Sequence, residues 1–250
     1  DDMGENWDAL GLLIQHPGHR PYVKYASDET DTIHFIFTEG HPRNYNNSIY
    51  HAYYQDGMLH SSNGSEIRLL GDGPIQIGEG TLVFQGGQSA VASGNDLAID
   101  SNGHPYLAYS VQIDENPLDH RYRYSRWTGD EWLDYEIAFA GERLYSGEDD
   151  FTGNIALDPN NPAVVYISTN VNPVTGTLLP SGHYEIFQGR TNDDGMNWDW
   201  VPITENSTED NIRPIVPDWD GQNTAVIWLQ GTYDRYTDFN LKVVGVIISE

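Results

Sequence analysis

The sequence contains no cysteine, and only 12 of its 250 residues are lysine or arginine. The first absence excludes a disulfide framework, a redox thiol and a thiolate metal site. The second stands against 38 aspartates and glutamates, a formal charge of −26. A field of that sign repels nucleic acid and anionic membrane, so neither is expected as a partner. It also means that an anionic substrate requires the few cations to be gathered in one place. No run of about 20 apolar residues occurs, so no membrane-spanning helix is expected. The opening "DDMGENWDAL" has no signal-peptide pattern, as in a mature secreted chain or an internal fragment. The expectation is a secreted, extracellular or periplasmic protein, and a monomer. Asn46, Asn63 and Asn206 head N-x-S/T sequons, which matter only in a glycosylating host.

Turn formers and aromatics are plentiful: 25 glycines, 13 prolines, 16 tyrosines and 7 tryptophans. They point to many turns and aromatic strands. Four segments share one plan: "RPYVKYASDETDTIHFIFTEG" from Arg20, "DLAIDSNGHPYLAYS" from Asp96, "NIALDPNNPAVVYIST" from Asn154 and "RPIVPDWDGQNTAVIWLQG" from Arg213. Each is a β-rich run, an Asp/Asn/Gly/Pro turn and a second β-rich run, which is a hairpin signature. Third strands follow in "SIYHAYYQDG", "HRYRYSRWTGDEW", "HYEIFQGRTNDDGMNW" and "NLKVVGVIIS". Fourth strands are suggested by "SEIRLLG", "WLDYEIAFAG" and "WDWVPIT". Asn95 and Asn154 are 59 residues apart, as are Asn154 and Arg213.

Four-stranded antiparallel units at a fixed period predict an all-β fold, a β-propeller, over a β-sandwich. The expected organisation is one domain over 1–250, with blades near 12–80, 90–145, 150–205 and 210–250. Four units are visible, so the chain forms a small ring or part of a larger one. Thr191, Asp193, Gly195 and Trp198 fit the pattern S/T-x-D-x-G-x-x-W, the Asp-box turn common in sugar-active propellers. Its role is structural: the Asp caps backbone N–H groups and the Trp packs beneath.

Antiparallel order places the start of strand one, the end of strand two and the start of strand three at one sheet edge. His19 and Arg20, His41, Tyr109, and His120 with Arg121 and Arg123 are thereby expected on one rim. Asn95, Asn154, Asn211 and Arg213 occupy equivalent strand-one starts. Any one His or Tyr on a strand edge is more often a packing residue. Tyr122, Tyr124 and Arg126 share one strand face and Arg121, Arg123 and Trp127 the other, so one set packs between blades. His51, mid-strand, is expected to pack rather than react.

"HRPYVKYASD", "IHFIFTEGHPRNYNNSIYHAYY", "DHRYRYSRW" and "NIRPIVP" resemble the β-propeller ulvan lyases and their BNR-repeat relatives, over about Gly18 to Gly245. The resemblance implies a seven-bladed propeller that cleaves a sulfated rhamnose–uronic acid polysaccharide by β-elimination, leaving an unsaturated uronosyl end. It implies His and Tyr as acid/base groups and an Arg for the carboxylate. His19 and His41 match the family's histidines, and Tyr109 its tyrosine. The arginine falls among Arg121, Arg123 and Arg126, with Arg123 or Arg121 favoured by rim and parity. Arg20, Arg43, Arg126, Asn95, Asn154 and Arg213 are expected to bind substrate, an anionic polysaccharide. No cofactor or metal is expected to be required, although the acidic "GEDD" from Gly147 could hold a structural Ca2+.

Such chemistry explains the residue types. An Arg fork neutralises the uronate carboxylate, a neutral His takes the C5 proton, and a Tyr protonates the leaving oxygen. Two other readings fit the same pattern: a sialidase-like glycoside hydrolase and a non-catalytic carbohydrate-binding propeller.

Overall fold

The computed structural model describes residues 5–6, 11–219 and 222–249. The turn of the fourth predicted hairpin, Asp220–Gly221, lies outside the described residues. Among the described residues the only helical segments are two 3-10 turns, Pro42–Asn44 and Ile77–Glu79, and no helix is long and apolar enough to cross a membrane.

Among the described residues nineteen strands form four antiparallel blades and one small parallel pair. Blade 1 orders β2 (Val23–Ser27), β3 (Thr32–Phe37), β4 (Ile49–Gln55), β5 (Met58–Ser61) and β6 (Glu66–Leu69), with β8 (Thr81–Phe84) added beside β4. The parallel pair, β1 (Ile14–Gln15) with β7 (Ile75–Gln76), packs alongside. Blade 2 is β9 (Ala90–Ile99), β10 (Pro105–Ile113), β11 (His120–Trp127) and β12 (Trp132–Gly141). Blade 3 is β13 (Ile155–Leu157), β14 (Val164–Thr169), β15 (Glu185–Arg190) and β16 (Asp199–Pro202). Blade 4 has three strands, β17 (Asp210–Ile215), β18 (Asn223–Arg235) and β19 (Asp238–Ser249).

This is the propeller arrangement. The predicted fourth strand of blade 1, "SEIRLLG", is its fifth. Asp56 and Gly57, both at positive φ, close a tight hairpin that makes β5 the fourth strand instead. The repeated turn has one cause. Asp28 Oδ1 accepts the N–H groups of Thr30 and Thr32, Asp100 Oδ1 those of Asn102 and His104, and Asp158 Oδ1 that of Asn160. The side chain thus satisfies donors that the reversing backbone cannot pair. The Thr191–Trp198 turn is held the same way. Asp193 Oδ1 accepts from Asn197 N and Trp198 Nε1 donates to Gly195 O, while the Trp198 ring meets Tyr124 edge-on.

One core packs blade 1 on the parallel pair, through Ile14, Phe35, Phe37, Ala52, Leu59 and Ile75, and three lie between blades. Ile36 and Ile49 of blade 1 meet Leu97, Leu107, Tyr109 and Val111 of blade 2. Tyr106, Tyr122 and Tyr124 of blade 2 meet Ile155, Leu157, Val165 and Ile167 of blade 3. Val164, Tyr166 and Ile186 of blade 3 meet Val226 and Trp228 of blade 4. Innermost strands touch in series from β2 to β9 to β13 to β17, and extended packing of blade 4 on blade 1 is absent among the described residues. The four blades form an arc around a channel.

Hydroxyls stitch the second interface. Tyr106 donates to Asp158 O at 2.6 Å, Tyr122 to Ser168 O at 2.8 Å and Tyr124 to Pro162 O at 2.9 Å. Burial, the main cause, pushes all three hydroxyls above their ordinary pKa, so they remain donors throughout the neutral range. The sign follows: the raised groups contribute stability that is full below about pH 10 and is lost as pH rises further. Tyr122→Phe should cost about 1–3 kcal/mol by leaving a buried carbonyl unpaired, measured by urea denaturation at neutral pH. The tyrosinate absorbance of Tyr122, read as the difference between the parent and Tyr122→Phe, should appear only together with loss of the β-sheet circular dichroism signal.

Candidate active site

The channel has two unlike ends. One is an acidic hollow of about 850 Å³ whose lining includes Asp28, Glu29, Asp96, Asp100 and Asp218. Its arginine, Arg126, is already paired with Asp100 and Asp194. The other is a cleft of about 500 Å³ lined by the innermost strands of all four blades, within the ~300–1,000 Å³ of ligand sites. Arg20 and Lys24 enter it from blade 1, Asn95 from β9, Asn154 from just before β13 and Arg213 from β17.

The electrostatics separate this cleft from the rest of the molecule. Eight of the twelve cations have a carboxylate partner: Arg43, Arg68, Arg121, Arg123, Arg126, Arg143, Arg235 and Lys242. Among the described residues four make no close ion pair, namely Arg20, Lys24, Arg190 and Arg213, although the Lys24 charge still reaches Asp96, and three of those four line this one cleft. In a chain of charge −26 that is a concentrated anion-attracting surface.

Local backbone geometry positions its polar lining. Asn154 and Arg213 have φ of 81° and 55°, a left-handed conformation that costs a non-glycine residue roughly 1–3 kcal/mol and concentrates at functional sites. Arg213 sits at a bulge in β17; its guanidinium lies over the Tyr233 ring and donates to its hydroxyl. Asn95 Nδ2 donates to Asn154 Oδ1 at 2.7 Å, and Asn95 Oδ1 is buried without a partner. The expected strand-one start at Asn95 is corrected: β9 begins at Ala90, because its early residues pair with the far end of β10. Asn211 is buried and holds Trp228 and Gln230, a structural role.

His41 stands at the mouth. Its ring meets Tyr22 and Phe151 edge-on at 5.6 and 5.9 Å, and both of those line the cleft. The segment that carries it is clamped, since Gly40 N and O bond the Asn47 amide and buried Glu39 accepts from Ser48 N and Tyr50 Oη. His41 Nδ1 accepts Arg43 N–H at 3.1 Å and its Nε2 faces Glu148 Oε2 at 3.9 Å. Burial first, then Arg43, lowers its pKa, so the ring is neutral near pH 7. Arg43 itself binds Glu148.

His19 stacks on His16 at 4.5 Å and meets Tyr45 edge-on. It lines the groove next to the cleft rather than the cleft itself. The two histidines approach through Gly40, above which His19 lies.

Three expected partners are elsewhere. Tyr109 does not end its strand; it is central in β10 and fully buried. Its hydroxyl donates to Asp134 Oδ1 at 2.5 Å, and burial, then the Asp134 charge, raises its pKa well above 10.0. Arg123 bonds Asp134 and lies over Phe84, in the interface of blades 1 and 2. Arg121 binds Asp119 and Glu136 and stacks on Phe139. Strand edge and parity cannot reveal these carboxylates, which arrive from the neighbouring β12 and from the turn before β11.

The sequence reading passed over Tyr22, Lys24, Tyr145, Glu148 and Asp150 as site residues. The 142–152 loop brings the last three to the rim. His120 anchors it, with Nε2 at 2.8 Å from Asp149 O and Nδ1 at 3.1 Å from Gly141 O. Tyr145 reaches the Tyr233 ring. The "GEDD" run was the visible signal, though read only as a loop ion site.

A family model described as "BNR repeat-containing family member" matches residues 1–140. The chain belongs to that BNR repeat-containing family. No curated protein matches the sequence. Among solved structures it is similar to a PL25 polysaccharide lyase described as an ulvan lyase, at 12% identity and TM-score 0.64, covering 95% of this chain and 55% of that one. It is similar to polysaccharide lyase Uly1 at 14% identity and TM-score 0.52, over 92% and 45% of the two chains. It is also similar to an α-L-arabinanase from Penicillium chrysogenum, complexed with arabinobiose, at 15% identity and TM-score 0.52, over 92% and 62%. The BNR chain spans about half the length of the lyases it matches, and at these identities the likeness is one of fold.

Tyr109→Phe should lower stability by about 1.5–3 kcal/mol, the worth of a hydrogen bond to a charged group, because its hydroxyl serves Asp134. Affinity for an anionic oligosaccharide should be unchanged. Thermal melting and a binding titration of the same variant check both parts.

Proposed function

We propose that this chain is the substrate-binding and reacting part of a secreted polysaccharide lyase acting on a uronic-acid polysaccharide such as ulvan. The observation that carries the reading is the gathering of Arg20, Lys24 and Arg213, none in a close ion pair among the described residues, in one cleft. A sulfated, carboxylated polymer needs such a surface, and the rest of this protein repels it. The fold shared with two lyases supports the reading.

The chemistry follows from what lies at the mouth. Arg213, oriented by Tyr233, pairs with the uronate carboxylate and stabilises the enolate-like charge that develops there. His41, neutral at working pH, accepts the C5 proton, for which its Nδ1 exchanges the single Arg43 N–H contact for the substrate. The electron pair forms the C4–C5 double bond, the C4–O bond breaks, and the leaving oxygen takes a proton from the Tyr22 hydroxyl. These roles replace Tyr109, Arg121 and Arg123, whose polar ends are already engaged.

A second reading has its own support in the arabinanase likeness and in two rim carboxylates. Glu148 and Asp150 approach each other at the mouth, and burial, opposed by His41 and Arg43, raises the Asp150 pKa. A raised acid beside a second carboxylate held by an arginine resembles the paired carboxylates of hydrolases.

Incubation with ulvan separates them. A lyase generates ultraviolet absorbance from the new double bond, whereas a hydrolase generates reducing ends without it. Binding with neither product would leave a carbohydrate-binding propeller and defeat both enzymatic readings. In the lyase case Arg213→Ala should reduce kcat/KM by about 10²–10³-fold, while Arg126→Ala, at the acidic end, should leave it near the parent value.

A further inference from the structure

His41, Glu148 and Asp150 present one donor atom each within 4.8 Å of one another. Asp150 is 8% exposed and its Oδ2 is buried with no hydrogen-bond partner. Glu148 Oε2 is likewise buried without a hydrogen bond, its other oxygen being held by Arg43. Carboxylate oxygens withdrawn from water are paired, protonated or coordinated to a metal, because an uncompensated buried charge is costly. Arg43 offsets one of the two negative charges here and leaves the other.

We propose that these three side chains form a binding site for a borderline divalent cation of the zinc type. One imidazole nitrogen and two carboxylate oxygens match the three protein ligands of an open zinc site, with a fourth position left for water or a ligand carboxylate. Calcium and magnesium prefer all-oxygen shells completed by waters, whereas an imidazole nitrogen in the set suits zinc-type ions. The "GEDD" loop, which could hold a structural Ca2+ on the sequence alone, is thus assigned a different ion with a different ligand set. The outer support is in place. His120 fixes the loop through Asp149 O, Arg43 orients Glu148, and Tyr22 and Phe151 hold the imidazole plane. Ligation uses the nitrogen lone pair that now accepts Arg43 N–H, or moves the ring proton across from Nε2, so the ion competes with that local contact. On the lyase reading above, a ligated His41 no longer accepts the substrate proton, and zinc inhibits.

The site is tested by isothermal titration of Zn2+ into the whole chain after chelator treatment, beside Asp150→Asn, Glu148→Gln and His41→Gln. One zinc per chain is expected in the parent, and each substitution should weaken it by at least the about 10–100-fold typical of even outer-shell partners. Circular dichroism checks that each variant is folded, and Co2+ in place of Zn2+ should give a tetrahedral visible spectrum in the parent alone. No binding by the parent overturns the proposal. So does binding that survives the Asp150 and His41 substitutions, which would put the ion on other groups such as His16 and His19. The titration reads zinc directly, so its failure is distinguishable from absence of lyase activity.

Discussion

Buried tyrosine hydroxyls donating into the next blade are the constraint on which this structure leans. Stacked sheets bury apolar faces readily, but each blade also ends in turns whose carbonyls are drawn into the interface. An unpaired buried carbonyl costs as much as a lost hydrogen bond. Tyr106, Tyr122 and Tyr124 answer this by filling the space between blades 2 and 3 with rings and ending on Asp158, Ser168 and Pro162 carbonyls. Tyr184 repeats the device onto Glu142 O, at the root of the loop that carries Tyr145, Glu148 and Asp150. The architecture and the rim are thus coupled through one kind of contact.

The same economy governs charge. Thirty-eight acidic residues leave few cations unpartnered, and ion pairs consume most of those present. Arg123 illustrates the consequence. It lies on β11, two strands out from the innermost β9, where Asp134 holds it, and the same carboxylate takes the Tyr109 hydroxyl and Ser125. Two groups that suggest catalysis in a linear reading, Arg123 and Tyr109, meet in one network around Asp134. Arg213 is held by an aromatic ring and a neutral hydroxyl instead, which leaves its charge available to a ligand.

The stretch "HPRNYNNSIYHAYY" from His41 shows how the two levels divide. His51 packs in blade 1, with its ring against His34 and its Nδ1 sharing Ser62 with Trp132 of blade 2. Its mid-strand place in a period-two pattern already indicated that role. His41 sits at a strand exit, and the sequence placed it on the edge but not beside Glu148 and Asp150, which lie more than a hundred positions away. Tyr109 lies away from the strand end expected of it because β10 is longer than its pattern suggests. The strand runs on to Ile113, so a residue expected at the edge is interior, and a one-dimensional pattern carries no reliable mark of where a strand stops.

Local physics determined the repeated unit. Alternating apolar residues, Asp-capped turns and a 59-residue spacing specify hairpins that bury their faces only against one another. That suffices for four antiparallel blades around an axis, and for Asn154 and Arg213 to fall at corresponding positions along it. Tertiary structure alone decided which charges are neutralised, which end of the channel is acidic, and which loop closes over His41. Those outcomes depend on side chains from different blades meeting at a few ångströms. Electrostatic partnership is a property of distance in space, and a linear sequence does not record it.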